Sequence, residues 1–270
     1  MQNLPRIYLN EKLEVGKLFP LPADTGHYLS RVMRVKERNK EKGIRNKTCE
    51  EEFIVFNNGK EFYAKLIEEK TKKNLIPYSF FLIPLAETGR PDPSNNLTLA
   101  FAPVKQSRLE EIAGAATQLG VARLLPVITE RTNERHIHWE RIRKITIEAS
   151  EQSGRNSIPE ILPEMPFDEF MKECSLQSVE CNELIFADER FVHNPNDVGA
   201  NNIRPQNTDE GKGECYSPLQ TLLIGPEGGF SESEFAQLDA AGAHRIGLGP
   251  TILRAEVAAV VAIAKVNSEQ

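Results

Sequence analysis

The chain is poor in cysteine, and the four cysteines that it has are widely separated. No C-x-x-C pair occurs among Cys49, Cys174, Cys181 and Cys215, so the ligand spacing of a zinc site is missing. So few cysteines in 270 residues are typical of a reducing compartment. We therefore expect free thiols without a shared role, and no metal site.

Long apolar segments are also missing. The longest apolar run, Val257 to Ala264, is far shorter than the roughly 20 residues that cross a bilayer. The first ten residues have neither a long apolar run nor a signal-peptide pattern. These absences predict a cytoplasmic protein without a membrane partner.

Two nucleotide-binding patterns are absent as well. No Gly-Lys-Ser/Thr follows the glycine-rich segments, which excludes a P-loop. There is no G-x-G-x-x-G with an acidic residue about 20 positions downstream, which argues against a nucleotide-dependent oxidoreductase. That enzyme class stays open only as the least favoured alternative, and a nicotinamide-binding titration would test it.

Charge is unevenly distributed along the chain. The formal net charge is −6, yet residues 1–90 hold 17 basic and 12 acidic side chains, and the remaining residues hold 16 and 27. A basic N-terminal part joined to an acidic remainder predicts that any contact with a polyanion begins at the N-terminus.

Residues 1–88 are rich in short apolar, β-branched and aromatic runs, which favours a small β-barrel. Asn58-Gly59 between two such runs predicts a hairpin. Lys36 to Glu52 has 11 charged residues in 17, which predicts a mobile loop. Residues 89–96 have the composition of a linker.

From residue 97 to 270, apolar runs alternate with helical patterns, which predicts an α/β domain with a largely parallel sheet covered on both faces. Ser107 with Glu110, and Ser231 with Glu234, predict two helix starts by capping boxes. A polar stretch from Val192 to Pro218 is expected to be a long loop.

Further signals mark where these helices begin and end. Phe230 and Phe235 occupy the two positions of a hydrophobic staple around Ser231. Gly120 and Gly242 are expected to end their helices. The last predicted helix carries Leu253, Val257, Val260, Val261 and Ala264.

Two segments near the C-terminus each consist of an apolar strand, a turn with glycine and proline, and a helix. They are L-L-I-G-P-E-G-G-F-S (222–231) and G-L-G-P-T-I-L-R-A-E (247–256). Such turns expose backbone at the end of a sheet, where ligands bind in α/β proteins. Arg254 and Glu256 are a charged pair ahead of an apolar helix, which suggests a guanidinium aimed at a phosphate or carboxylate.

Both segments resemble the RsmE family, the ribosomal RNA uridine-N3 methyltransferases of the SPOUT superfamily. A third segment, E-Q-S-G-R-N-S-I-P-E-I (151–161), is similar to that family's E-Q-x-G-R-N-x-x-P. The family's places for Q-L-G-V and for the I-T-E-R after it are filled in this chain. The N-terminal P-R-I-Y and H-Y-L-S-R-V-M-R-V resemble the family's opening segment. The chain departs from the family at Ala115, Gln118 and Val257, where Lys, Glu and Thr are usual.

The resemblance implies an N-terminal PUA-like β-barrel, a SPOUT α/β domain with a parallel sheet and a trefoil knot, and a homodimer. It implies S-adenosylmethionine as cofactor and methylation of N3 of a uridine in 16S ribosomal RNA of the small subunit. The catalytic candidates are Arg254 and Glu256. The RNA-binding candidates are Arg6, Arg31, Arg34, Arg155 and Asn156.

Cofactor binding is expected from apolar side chains and close backbone of the two glycine loops. These residues are Leu223, Ile224, Gly225, Pro226, Gly228, Gly229, Leu248, Gly249, Ile252 and Leu253. A noncatalytic RNA-binding protein that keeps the fold is the main alternative, and calorimetry with S-adenosylmethionine would distinguish the two.

Overall fold

The computed structural model describes residues 4–21, 48–69, 79–134, 136–176, 182–188 and 219–268. The chain forms two compact units. The first comprises Met1–Pro93 with Ser150–Ser157, and the second comprises Ser94–Ala149 with Ile158–Gln270. The sequence division placed residues 150–157 in the C-terminal domain, whereas the structure groups them with the first unit.

The first unit contains a five-stranded sheet in the order β1-β3-β4-β5-β2. Its strands are β1 (Arg6–Tyr8), β2 (Phe19–Pro20), β3 (Thr48–Asn57), β4 (Lys60–Glu69) and β5 (Ser79–Glu87). Strand β1 pairs with β3 in parallel, and the other pairs are antiparallel.

The predicted hairpin between β3 and β4 is confirmed. Asn57 pairs with Lys60, and the two turn residues Asn58 and Gly59 have φ angles of 49° and 76°. Positive φ at both central positions is the requirement that Asn-Gly meets with least strain.

Strand β3 begins inside the segment that the sequence predicted to be a loop. Thr48 to Glu52 belong to the strand, and Glu52 lies opposite Lys65 of β4. Opposite charges facing each other across two strands stabilise the pairing, so a charged run is compatible with an exposed strand. Residues 36–47 lie outside the described ranges. Phe53 and Val55, which follow Glu52 on β3, are buried and pack on Ala64, Leu66 and Leu82.

The second unit alternates strands and helices. Its strands are β6 (Leu97–Phe101), β7 (Arg123–Ile128), β8 (Glu160–Ile161), β9 (Met165–Pro166), β10 (Asn182–Ala187), β11 (Leu219–Ile224) and β12 (His244–Ile246). Its helices are α1 (Gln106–Gln118), α2 (Trp139–Ser153, which ends in the first unit), α3 (Phe167–Leu176), α4 (Glu232–Ala240) and α5 (Ala255–Ser268).

The strands of the second unit form a sheet in the order β12-β10-β11-β6-β7-β8, and β9 also pairs with β7. Every one of these pairs is parallel. The predicted parallel sheet is therefore confirmed, because α/β alternation returns each strand in the same direction.

Both faces of this sheet are buried, as the sequence predicted. Leu97, Leu99 and Leu222 point to one face, which α1 and α5 cover. Ala100 and Leu223, one residue out of phase, point to the other face, which α3 and α4 cover. Alternating residues of one strand thus supply two separate cores.

Helix ends agree with the sequence at their C-termini. Gly120 and Gly242 follow α1 and α4 with φ angles of 89° and 69°. The residue after the last helical turn adopts a left-handed conformation, and glycine adopts it without the steric cost of a Cβ.

The capping box predicted at Ser107 is wrong. Helix α1 begins at Gln106, its N-cap is Lys105, and no side chain caps it. Glu110 instead accepts from Gln106 Nε2 at 3.1 Å and pairs with Arg141 Nε at 2.5 Å. Hydrogen bonding by Arg141 lowers the pKa of Glu110.

Three further expectations from the sequence concern the cysteines, a long loop and membrane-spanning segments. Cys174 is a free thiol, and burial raises its pKa to about 11. The predicted long loop from Val192 to Pro218 lies outside the described residues. Among the helices that the structure describes, none combines the length and apolar character needed to cross a membrane.

Candidate active site

The first glycine loop leaves the centre of the sheet after β11 and ends at α4. A Cβ added to Gly225 would lie 3.0 Å from the ring of Phe230. Gly229 has a φ of 66°, and its N–H donates to the carbonyl oxygen of Pro226 at 2.9 Å. The loop is therefore a tight turn in which packing requires Gly225 and backbone conformation requires Gly229.

Helix α4 fixes this loop through the predicted capping box and staple, which are both confirmed. Ser231 Oγ accepts from the Glu234 N–H, and Glu234 Oε2 accepts from the Ser231 N–H at 2.8 Å. The rings of Phe230 and Phe235 meet edge to face at 5.6 Å. The entry into the helix is thus held by polar and apolar contacts together.

Glu234 also connects the loop to the turn that follows β7. Its Oε1 accepts from the Glu130 N–H at 2.7 Å, and the carboxylate is buried. Arg131 Nη1 returns a hydrogen bond to the carbonyl oxygen of Gly228 at 2.8 Å. The loops after β7 and β11, two strands that flank β6 in the sheet, are therefore held together by charge-assisted hydrogen bonds.

The second glycine loop joins β12 to α5. Gly249 has a φ of 129°, a conformation that other residues rarely adopt. Lys265 Nζ donates to the carbonyl oxygen of Gly247 at 2.6 Å and anchors the start of the loop to α5. The sequence pattern placed Leu253 and Arg254 in the last helix, but α5 begins at Ala255 and both residues precede it.

The two loops line one cleft of about 470 Å³ in the second unit. Nine of the ten residues predicted for the cofactor lie along it, together with Arg254. These nine are Ile224, Gly225, Pro226, Gly228, Gly229, Leu248, Gly249, Ile252 and Leu253.

The tenth residue, Leu223, does not reach the cleft. It is fully buried and packs with Phe186 and Leu238 on the opposite face of the sheet. Because successive strand residues alternate between faces, Ile224 and Leu223 cannot both face the same pocket. The side chain of Leu223 therefore lies away from the cleft, although the sequence had predicted it there.

The charged residues of the cleft form a pattern that the sequence did not reveal. Arg108, at the start of α1, pairs with Glu227 of the first loop, and its Nε lies 3.9 Å from Glu256 Oε2. Glu256 therefore pairs with Arg108, although the sequence suggested a charged pair of Arg254 and Glu256.

Arg254 differs from the other arginines of the cleft. Its side chain is exposed and makes no hydrogen bond or ion pair with the described part of the chain. A guanidinium in this position is available to a ligand that enters the cleft.

Asp188 lines the cleft just beyond the end of β10 and is buried. Its Oδ2 lies 3.3 Å from Arg245 Nη1, and Arg245 also binds both carboxylate oxygens of Asp239 at 2.5 Å. Hydrogen bonding by Asp239 raises the pKa of Arg245.

Sequence reasoning missed Arg108, Arg131 and Asp188. Arg131 and Asp188 follow strands β7 and β10, and the carboxyl ends of parallel strands lie at the edge where the first glycine loop begins. Applying that rule to every predicted strand would have found these two. No comparable signal marks Arg108.

Three of the predicted RNA-binding residues lie together inside the first unit. Arg155 and Asn156 are almost completely buried, and the Arg6 side chain is 12% exposed. Arg6 binds Glu61 Oε2 at 2.6 Å, the Arg155 carbonyl oxygen at 2.8 Å and Asn156 Oδ1 at 3.0 Å. These positions hold the fold and leave no surface for an RNA phosphate, which argues against direct RNA contact by Arg6, Arg155 and Asn156.

Asn156 completes this network, since its N–H donates to Asp92 Oδ1 and its Nδ2 donates to the Arg90 carbonyl oxygen, both at 3.0 Å. The two remaining RNA-binding candidates, Arg31 and Arg34, lie outside the described residues.

Comparisons with known proteins identify the family of the chain. The family described as RNA methyltransferase domain matches residues 90–267. The ribosomal RNA small subunit methyltransferase E of Rickettsia conorii is 32% identical over 97% of this chain and 94% of its own length. The protein of that name from Buchnera aphidicola (Schizaphis graminum) is 30% identical over 97% and 95%.

Solved structures give the same result. A ribosomal RNA small subunit methyltransferase E of Neisseria gonorrhoeae bound to S-adenosyl methionine matches with a TM-score of 0.72 and 28% identity over 98% of both chains. A Legionella pneumophila structure with bound SAM matches with a TM-score of 0.72 and 27% identity, also over 98% of both chains. The chain belongs to the RNA methyltransferase family whose curated members are named ribosomal RNA small subunit methyltransferase E.

Proposed function

We propose that the protein transfers a methyl group from S-adenosylmethionine to N3 of a uridine in 16S ribosomal RNA. The observation that carries this proposal is a cleft built from two glycine loops, with the guanidinium of Arg254 at its wall unpaired within the described ranges of the chain. Membership of the methyltransferase family and relatives solved with the same cofactor support it. A reaction on ribosomal RNA fits a cytoplasmic protein.

The residues of the cleft fit S-adenosylmethionine. Ile224, Leu248 and Leu253 offer apolar walls for an adenine ring, and the glycine loops bring backbone donors and acceptors close to its polar edge. The bound cofactor supplies an electrophilic methyl group on a positively charged sulfur.

Arg254 is proposed as the catalytic residue. Uridine N3 carries a proton at neutral pH, so the attacking nitrogen develops negative charge as that proton leaves. A guanidinium held beside it stabilises this charge, or grips the phosphate of the target nucleotide. Glu256 stays a candidate for proton transfer or for support of the site, and it acts with Arg108 in either role.

RNA binding is proposed for the first unit, which would take the form of a PUA-like barrel. Its net positive charge in residues 1–90 supports contact with phosphate, and Lys12, Lys17 and Lys65 are exposed among its described residues. Arg31 and Arg34 stay as candidates. Affinity for the RNA should fall steeply with salt, and a flat salt dependence in filter binding would contradict this role.

A homodimer and a trefoil knot in the second unit are proposed from the family resemblance. Helix α5 supports the dimer, since Val257 and Val260 are 43% and 37% exposed on one face, next to Ile252 at 81%. Replacing Val260 with Glu should turn a dimer into a monomer in sedimentation analysis. An unchanged mass would place the interface elsewhere.

The central test is mass spectrometry of ribosomal RNA nucleosides from cells with and without the gene. Loss of 3-methyluridine is expected without the gene, and an unchanged amount would defeat the proposal.

The role of Arg254 is tested with Arg254→Ala. The variant should lose about 100-fold or more in kcat/KM, because one charge-stabilising donor is removed from the reacting centre. S-adenosylmethionine affinity and melting temperature should stay near those of the wild type. Arg141→Ala, an arginine of α2 that does not line the cleft, is the matched control. Wild-type turnover by Arg254→Ala would remove Arg254 from the mechanism.

A further inference from the structure

The outer face of strand β4, in the first unit, carries an aromatic and a basic side chain that the methyl-transfer cleft does not use. Phe62, Ala64 and Leu66 of this strand belong to the core of the first unit. Because side chains alternate along a strand, Tyr63 and Lys65 point to the opposite face. Tyr63 is 46% exposed there, and Lys65 is exposed as well.

Neighbouring side chains leave this face open. The Tyr63 side chain makes no hydrogen bond or ring contact with the described part of the chain, and Lys65, although opposite Glu52 of β3, forms no close ion pair there. Beside Tyr63, a bulge in β5 inserts Leu85, which is 43% exposed. An aromatic ring in such a place offers its face to a planar group.

Arg90 adds a second cation to the same face. Its Nη1 lies 3.9 Å from Oε2 of Glu61, which precedes Tyr63 by two positions and therefore points to the same side of the sheet. Glu61 already binds Arg6 at 2.6 Å, and the Arg90 side chain is 48% exposed with no hydrogen bond to the described residues. Positions 61, 63 and 65 follow one another at intervals of about 7 Å along the strand.

The G-R-N segment of the sequence holds Arg90 in this position. Asn156 Nδ2 donates to the carbonyl oxygen of Arg90 at 3.0 Å, and the Arg90 N–H donates to Thr88 Oγ1 at 3.2 Å. A Cβ added at Gly154 would lie 3.0 Å from Arg90 Nη2, so the guanidinium packs closely on the backbone of Gly154. The segment thus positions an exposed arginine that lies outside the motif itself.

We infer that Arg90, Tyr63 and Lys65, together called the β4 stripe, bind a single-stranded segment of the RNA substrate. An unpaired base stacks on the Tyr63 ring, and the two cations bind phosphates on either side of it. Stacking accepts any unpaired base, whereas the faces of paired bases are covered by their neighbours in a duplex. The basic excess of residues 1–90 favours a polyanion as the occupant. This inference rests on the proposed function, which makes ribosomal RNA the substrate.

Fluorescence anisotropy tests the inference by measuring the affinity of the full chain for a single-stranded uridine oligonucleotide and for an RNA duplex of the same length. The wild type should bind the single strand more tightly. Tyr63→Ala should weaken single-strand binding by about tenfold, because a stacked base is lost, and should leave duplex binding unchanged. Tyr63→Phe keeps the ring and should bind as the wild type does.

Salt dependence tests the two cations separately from the ring. Arg90→Ala and Lys65→Ala should each reduce the slope of log K against log salt for the single strand by about 0.7, the value of one phosphate contact. Tyr63→Ala should leave this slope unchanged. Lys172→Ala removes an exposed lysine of α3 in the second unit and should change neither affinity nor slope.

Methylation of ribosomal RNA by the same wild-type preparation separates this inference from the proposed function. If the wild type transfers no methyl group from S-adenosylmethionine, the proposed function is wrong and the inference falls with it. If it does, wild-type affinity in Tyr63→Ala, an equal loss for single strand and duplex, or a wild-type preference for the duplex overturns the stacking role alone.

Unchanged slopes in both Arg90→Ala and Lys65→Ala overturn the phosphate contacts. If Tyr63→Ala does not fold, Tyr63→Leu keeps an apolar side chain without the ring, and wild-type affinity in that variant overturns the stacking role.

Discussion

The roles of the arginines in this protein depend on their partners and are not visible from their sequence context. Arg254 and Arg155 both lie in motifs that resemble the same family, and both were expected to face ligands. Arg254 is exposed beside the cleft, whereas Arg155 is 2% exposed inside the first unit. Burial lowers the pKa of Arg155, because desolvation disfavours its charged form.

Gly225 and Gly228 allow a test of the first glycine loop at single residues. A Cβ at Gly225 would meet the ring of Phe230 at 3.0 Å, whereas at Gly228 it would meet Arg131 Cδ at 3.5 Å and Cβ at 3.7 Å. We expect Gly225→Ala to lower the free energy of unfolding by about 1–3 kcal/mol, because the ring must move within a packed core. Chemical denaturation measures it.

Gly228→Ala is the matched control for that experiment. Its added methyl makes an ordinary contact, so the free energy of unfolding should change by less than about 0.5 kcal/mol. An equal loss of unfolding free energy in the two variants would show that the loop backbone, and not contact with the Phe230 ring, requires glycine.

At the level of helices, one predicted capping box is present and the other is not. Ser231 and Glu234 cap α4, while Ser107 lies inside α1 and Glu110 pairs with Arg141. The four-residue pattern is the same in both. The difference is partly local, because Phe230 and Phe235 pack against each other and fix where α4 begins, and partly tertiary, because Arg141 of α2 binds Glu110.

Glu234 is expected to be the side chain on which the glycine loop depends most. Glu234→Ala leaves the N–H groups of Ser231 and Glu130 without their acceptor and should cost about 1–3 kcal/mol of stability. It should also weaken S-adenosylmethionine binding, because the loop loses its connection to the turn after β7. Thermal unfolding and calorimetry measure the two effects.

Glu232→Ala provides the comparison, since Glu232 lies in the same helical turn and is exposed. Its loss should cost less than about 1 kcal/mol, the size of a helix-dipole effect. A similar destabilisation by both changes would mean that charge, and not hydrogen bonding, is what α4 requires at its start.

At the scale of the whole molecule, the parallel sheet and its two covered faces could be predicted from alternating patterns. The cleft could be predicted in outline, because both glycine loops follow strands. The grouping of Ser150–Ser157 with the first unit could not be predicted. The contacts of this segment with Arg6, Tyr8 and Gly59 join residues about 100 or more positions apart. No local pattern encodes a pairing of that range.

Arg6 makes several of these long-range contacts. Arg6→Ala would leave Glu61, whose side chain is 5% exposed, without its main counter-charge, and should destabilise the first unit by about 3–5 kcal/mol. Hydrogen exchange of the β3 and β4 amides measures the loss. Lys60→Ala, which removes an exposed pair with Glu87, should change protection by less than about 1 kcal/mol. Protection that is equally low in both variants would contradict a special role for Arg6.

The membership of Ser150–Ser157 in the first unit has a consequence for how such a gene can evolve. A single crossover just after Pro93 would join a foreign N-terminal domain to a segment shaped for the original one. Asn156 would then present its buried amide to the wrong partners, with Arg90 and Asp92 lost from their places. Exchange of the N-terminal domain by recombination therefore requires two compatible sequence tracts to be inherited together, which favours descent of the pair as one gene.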